Sequence, residues 1–177
     1  MEWPLKSKNN RLSVTVITLF QASEENMVLR VPVLYGPVEY LGESAVTALL
    51  QTITSKKPAK VSDYEIRRPA HVGDVAKMVA QLLAKKAELG ATVSGVYQWS
   101  GREALTKFGM VRAMAAAFKL DIEHVEGNAE KPPDDAKTRR PHDVTMDTSR
   151  LEELGIAEHV EFARGIKEVL DKWVAEK

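Results

Sequence analysis

There is no cysteine anywhere in the 177 residues, which excludes disulfides and thiolate metal sites and fits a reducing cytosol or nucleus. An excess of charge is missing too. The 25 Lys and Arg are matched by 25 Asp and Glu, so no global field draws in DNA, RNA or an anionic membrane, and nucleic acid is not an expected partner. No apolar run approaches the roughly 18 residues of a membrane span, and no membrane association is expected. The stretch Val14–Phe20, inside MEWPLKSKNNRLSVTVITLFQASEEN, follows basic residues as in a signal peptide. Two threonines interrupt it and no clear small-x-small cleavage site follows, so it reads as a strand or an N-terminal arm.

Catalytic signatures are equally scarce. The four histidines, at 71, 124, 142 and 159, make no i,i+3 or i,i+4 pair and no HExxH, so no metal site is expected. Gly-x-Ser-x-Gly, Gly-x-Gly-x-x-Gly and the P-loop are absent, which removes a hydrolase nucleophile elbow and any phosphate-cradling turn of the chain's own.

What is present is an alternation of strands and helices, the pattern of an α/β protein. In VLRVPVLYGP, every residue from Val28 to Tyr35 is apolar except Arg30. A half-exposed strand would alternate, so this one reads as a strand over 28–34 covered on both faces, as in a parallel sheet. Its end at Tyr35-Gly36-Pro37 is where open α/β sheets place ligands. ESAVTALLQTI predicts a helix with Val46, Leu49, Leu50 and Ile53 inward. KVSDYEIRRPAHV reads as short and partly extended. GDVAKMVAQLLAKKAELG predicts a helix capped by Asp74, with Val75, Val79, Leu82 and Leu83 on the inner face and Gly90 closing it. GVYQWSG reads as a strand ending in a glycine turn. TKFGMVRAMAAAFKL predicts a helix with Phe108, Val111, Ala115 and Phe118 inward. A strand is expected within 121–126 and a polar loop over 127–143. A short helix follows at TSRLEELGI, and a last one carries Phe162, Ile166, Val169, Leu170 and Trp173 on one stripe.

The arginine pair in RRPAHVGDVA has two readings. One is a surface pair before a helix, with Arg68 held by a local acid such as Asp63 or Glu65. The other places a guanidinium beside an anionic ligand, whose phosphate or carboxylate its planar fork matches.

Four segments in order, LRVPVLYG, RRPAHVGDVAKMV, VYQWSGREALTKFGMVRAMAAAF and RPHDVTMDTSRLEELGI, resemble the carboxyl-terminal half of extended short-chain dehydrogenases of the dTDP-4-dehydrorhamnose reductase type. The wording is most similar to the group's regulatory beta subunits of methionine adenosyltransferase. The resemblance runs over about residues 27–170. It implies a partial Rossmann-like parallel sheet, residues 27–177 forming its last part plus a small RmlD-like substrate-binding lobe, behind an atypical segment 1–26.

The resemblance also implies NADP as the parent family's cofactor and the methionine adenosyltransferase catalytic subunit as partner. It places Pro32, Val33 and Leu34 at the cofactor, and Tyr35, Arg68, His71 and Arg140 on the substrate side. Active reductases carry a Tyr-x-x-x-Lys pair, yet no lysine stands four residues after Tyr35, Tyr40, Tyr64 or Tyr97. The expectation is therefore a truncated, non-catalytic regulatory or binding subunit with weak or no NADP binding of its own. The rivals are the substrate-lobe half of an NADP-dependent reductase, and a nonfunctional fragment that self-associates through an unpaired strand edge.

Overall fold

The computed structural model describes residues 23, 25–133 and 140–175; the expected strand or arm at 14–20 lies outside them. Six strands are present among the described residues: β1 Met27–Arg30, β2 Leu34–Tyr35, β3 Ala59–Ser62, β4 Ala70–His71, β5 Gly95–Gln98 and β6 Val125–Asn128. The helices are α1 Leu49–Thr54, α2 Val72–Leu89, α3 Lys107–Phe118, α4 Ser149–Glu152 and α5 Phe162–Ala175. The strands pair as three parallel ladders, β1 with β5, β2 with β4 and β3 with β6. Parallel partners need long crossovers, and here helices supply them.

The single strand expected over 28–34 is two. β1 runs beside β5 from Met27↔Gly95 to Arg30↔Gln98, while β2 pairs Leu34 with Ala70 and Tyr35 with His71. Pro32 lies in the break, and a residue without an N–H cannot continue a central ladder. Nor is β1 covered on both faces: Met27, Val28 and Leu29 are half-buried and Arg30 is exposed. The far edge of β5 is closed by a side chain. Arg150 donates from Nη2 to the Ser94 carbonyl at 2.9 Å and from Nη1 to the Val96 carbonyl at 2.6 Å. Its guanidinium lies over the Tyr97 ring, 4.4 Å from the centroid.

Two hydrophobic clusters organise the described residues. The first gathers α1, α3 and α5 with β3 and β6 around Leu50, Ile53, Met110, Met114, Ile166 and Leu170. The second joins α2 to β5 through Met78, Leu82, Tyr97 and Trp99, with Leu151 and Ile156. The last helix buries Phe162, Ile166, Val169 and Leu170 as expected, with Trp173 half-buried. In α3 the buried residues are Met110, Val111, Met114 and Ala115, with Phe108 and Phe118 partly buried against the same core. The first helix begins only at Leu49, later than its apolar spacing suggests, and the strand expected within 121–126 lies at 125–128.

The sequence reading of α2 needs two corrections. The N-cap is His71, not Asp74: His71 Nδ1 accepts the Gly73 N–H at 3.1 Å. Asp74 lies in the first turn and points inward, where its Oδ2 accepts the Val160 N–H at 2.8 Å. The inner face is Met78 and Leu82, whereas Val79 and Leu83 are 41% and 57% exposed. The carboxylate's need for a buried donor and the bulk of Met78 set the helix rotation. Gly90 closes α2 at φ 64°, its N–H reaching the Lys86 carbonyl.

Candidate functional site

The seven residues singled out from sequence fall into three places. Pro32, Val33 and Leu34 occupy the break and the start of β2. Val33 packs on the first cluster and Leu34 on the second, while the Val33 carbonyl accepts the Ala70 N–H at 3.0 Å. These side chains are half-buried packing groups.

Tyr35 and His71 form a second group. Tyr35 is 1% exposed, its ring edge-on to His71 at 5.3 Å and to Phe162 at 5.1 Å. A Cβ on Gly165 would run into the Tyr35 hydroxyl, so that glycine lets α5 close over the phenol. Burial pushes the Tyr35 pKa up, and the carboxylates of Asp74, Glu103 and Glu168 push it further. The phenol is therefore neutral at physiological pH. His71 Nδ1 accepts from the Gly73 N–H, which leaves Nε2 to carry the ring proton.

The third group is a polar hub at the carboxyl end of β3. Glu65, 7% exposed, accepts from the Ser62 hydroxyl and lies 3.5 Å from Arg67 Nη2. The Ser62 hydrogen bond holds the Glu65 pKa below the usual carboxylate range, and the charges of Arg67 and exposed Arg140 add to it. The local acid therefore belongs to Arg67. Arg68, at φ 46°, turns the other way: its Nη1 donates to the carbonyls of Gly101 at 3.2 Å and Arg102 at 3.1 Å, and its Nε to the Thr145 hydroxyl. The segment after Arg140 is fastened to the hub, with Ile66 N–H donating to the His142 carbonyl at 2.7 Å and Tyr64 against the His142 ring at 4.5 Å. No hydrogen bond, ion pair or ring contact among the described residues joins Arg68 to Tyr35 or His71.

Sequence reasoning missed Ser62, Glu103 and Ser100, and named Glu65 only as an acid for Arg68. Glu65 and Glu103 occupy ordinary polar positions in the sequence, and only the fold shows what they hold. Ser100, 6% exposed after the end of β5, has a buried hydroxyl with no hydrogen-bond partner among the described residues.

Among the described residues no three His, Asp or Glu side chains group as metal ligands. The long helix that starts at a strand end, α2, has its amino terminus filled by His71 Nδ1 and carries Asp74 in the first turn, and both disfavour an anion at that end.

Parallel β-ladders crossed by helices, with polar residues gathered at strand carboxyl ends, make a fold that resembles those of the Rossmann-like reductases and epimerases. Consistent with it, dTDP-4-dehydrorhamnose reductase from Bacillus anthracis, solved in complex with NADP, superposes with a TM-score of 0.69 at 15% identity, over 86% of this chain and 49% of that one. That likeness shows the fold. The RmlD substrate binding domain model matches residues 16–175, and the chain belongs to that family. It is 39% identical over 160 residues to methionine adenosyltransferase 2 subunit beta of Xenopus laevis, covering 90% of this chain and 47% of that protein. The Mus musculus subunit is 42% identical over 151 residues, covering 85% and 44%. The chain thus spans about half the length of the curated relatives it matches.

Proposed function

We propose that this chain acts as a non-catalytic regulatory or binding subunit of the methionine adenosyltransferase beta type, engaging the catalytic subunit of S-adenosylmethionine synthesis. The observation that carries the reading is about 40% identity to beta subunits over 85–90% of the chain. Supporting it, these residues contain no Tyr-x-x-x-Lys pair to deliver a proton in a reductase, and the neutral Tyr35 phenol is packed inside rather than offered to a substrate. The fold's reductase ancestry makes NADP the parent ligand. The chain alone binds it weakly, since the pyrophosphate contacts are not among its residues. Arg68 and Arg140 are proposed to line the ligand-facing side, Arg68 while holding the Gly101 and Arg102 carbonyls and the Thr145 hydroxyl, with Tyr35 and His71 supporting that side from within. Absence of cysteine fits a cytosolic or nuclear setting.

The test is sedimentation of the chain with a methionine adenosyltransferase catalytic subunit, paired with calorimetric titration of NADP. The proposal expects a co-sedimenting complex and no low-micromolar NADP binding. A chain that ignores the catalytic subunit while binding NADP tightly would instead fit the reductase-lobe reading.

A further inference from the structure

One short segment is held by several side chains remote from it in sequence. Residues 157–161 lead from Ile156, in the second cluster, into α5, which belongs to the first. Val160 N–H donates to Asp74 Oδ2 on α2 at 2.8 Å. Phe162 N–H donates to Glu103 Oε2, from the β5–α3 connection, at 2.5 Å. His159 Nε2 lies 3.6 Å from that same oxygen. Glu158 is held by Gln81 Nε2 at 2.9 Å and by Lys77 Nζ at 3.7 Å, both on α2. Asp74 is 6% exposed, and a carboxylate so buried is costly unless bonded. Tyr35 fills the joint between the His71 cap and Phe162.

Apolar packing alone does not explain two carboxylates here. Each cluster has its own core, and the polar bonds concentrate where the chain passes from one to the other. We propose that residues 158–162 form a clasp between the two clusters. With Asp74 and Glu103 engaged, the start of α5 is locked against α2; with either released, α5 and the first cluster shift relative to α2 while each cluster stays folded. The device governs the spacing of the Tyr35–His71 joint, and it stands whether or not the chain is a beta-type subunit.

The absence of native cysteine makes the test clean. Spin labels go on Leu83→Cys, on the exposed side of α2, and Lys167→Cys, on the exposed side of α5, in the full chain. Pulsed dipolar spectroscopy reads the distance between them, and amide exchange reads local opening. In Asp74→Ala and Glu103→Ala, the distance distribution should widen, and the Val160 and Phe162 amides should exchange on the order of tenfold faster, with β3–β6 nearly unchanged. Should Asp74→Ala fail to fold, Glu103→Ala, on a less buried carboxylate, decides alone. An unaltered distance distribution in a folded variant overturns the proposal. So does equal acceleration of exchange in β3–β6, which would mean global loosening rather than a released clasp.

Discussion

Two helices of similar apolar content behave differently. In α5 the apolar residues Phe162, Ile166, Val169 and Leu170 all point inward, and Arg164, Lys167, Glu168 and Asp171 mark the opposite side without ambiguity. In α2 the outward side carries Val72, Val79 and Leu83 together with Ala76, Ala80, Ala84 and Ala87, while an acid points in. Apolar spacing fixes a helix's rotation only when charged residues occupy the other side. Where alanines and aliphatics surround the axis, the bulk of Met78 and the partner of Asp74 decide.

The sharpest way to break this contrast is to truncate one residue on each helix. Leu170→Ala, fully buried, should cost about 2–5 kcal/mol in urea unfolding. Leu83→Ala should stay within about 0.5 kcal/mol; equal losses would mean that the outward side of α2 is packed after all. Next in size is Arg68→Ala, which removes donors from two carbonyls and a hydroxyl. We expect a loss of about 1–3 kcal/mol, and little rescue by Arg68→Lys, whose single ammonium cannot span the three acceptors. A binding defect with unchanged melting temperature would assign Arg68 to a ligand instead.

Acid titration probes the hub beside it. Because the folded Glu65 pKa is lowered, its contribution is complete above the ordinary glutamate value of about 4.3 and is lost as pH falls through the lower folded value. Glu65→Gln should flatten that part of the stability–pH profile, with Ser62→Ala acting in the same direction more weakly. The smallest effect is expected from Leu83→Lys. It should change unfolding free energy by less than about 0.5 kcal/mol yet lower the apparent mass at high concentration if the outward side of α2 drives self-association. Val33→Lys should instead destabilise, since Val33 packs on the first cluster.

The order of elements and the α5 stripe were legible in the sequence because spacing and charge agree there. The division of the 28–35 run was not, since it depends on which strands lie beside β1 and β2, a tertiary matter that Pro32 only permits. Arg67 and Arg68 show the same limit at the site. Sequence marks the pair, but a left-handed backbone at Arg68, disfavoured before Pro69, sends the two side chains to different partners. The carbonyls of Gly101 and Arg102 hold that conformation, and they are 33 and 34 residues away. Ser62, Glu65 and Glu103 acquire their roles in the same way, from neighbours that only folding supplies.

Arg150 has a consequence for sheet architecture. By taking the outward carbonyls of Ser94 and Val96 and covering Tyr97, it blocks the acceptors that an incoming strand would use on the β5 side. Among the described residues β1 pairs with β5 alone. The ladder is therefore terminated on its β5 side, like the capped end of a polymer. Any strand that joins it, from this polypeptide or another, must add next to Met27 and Leu29.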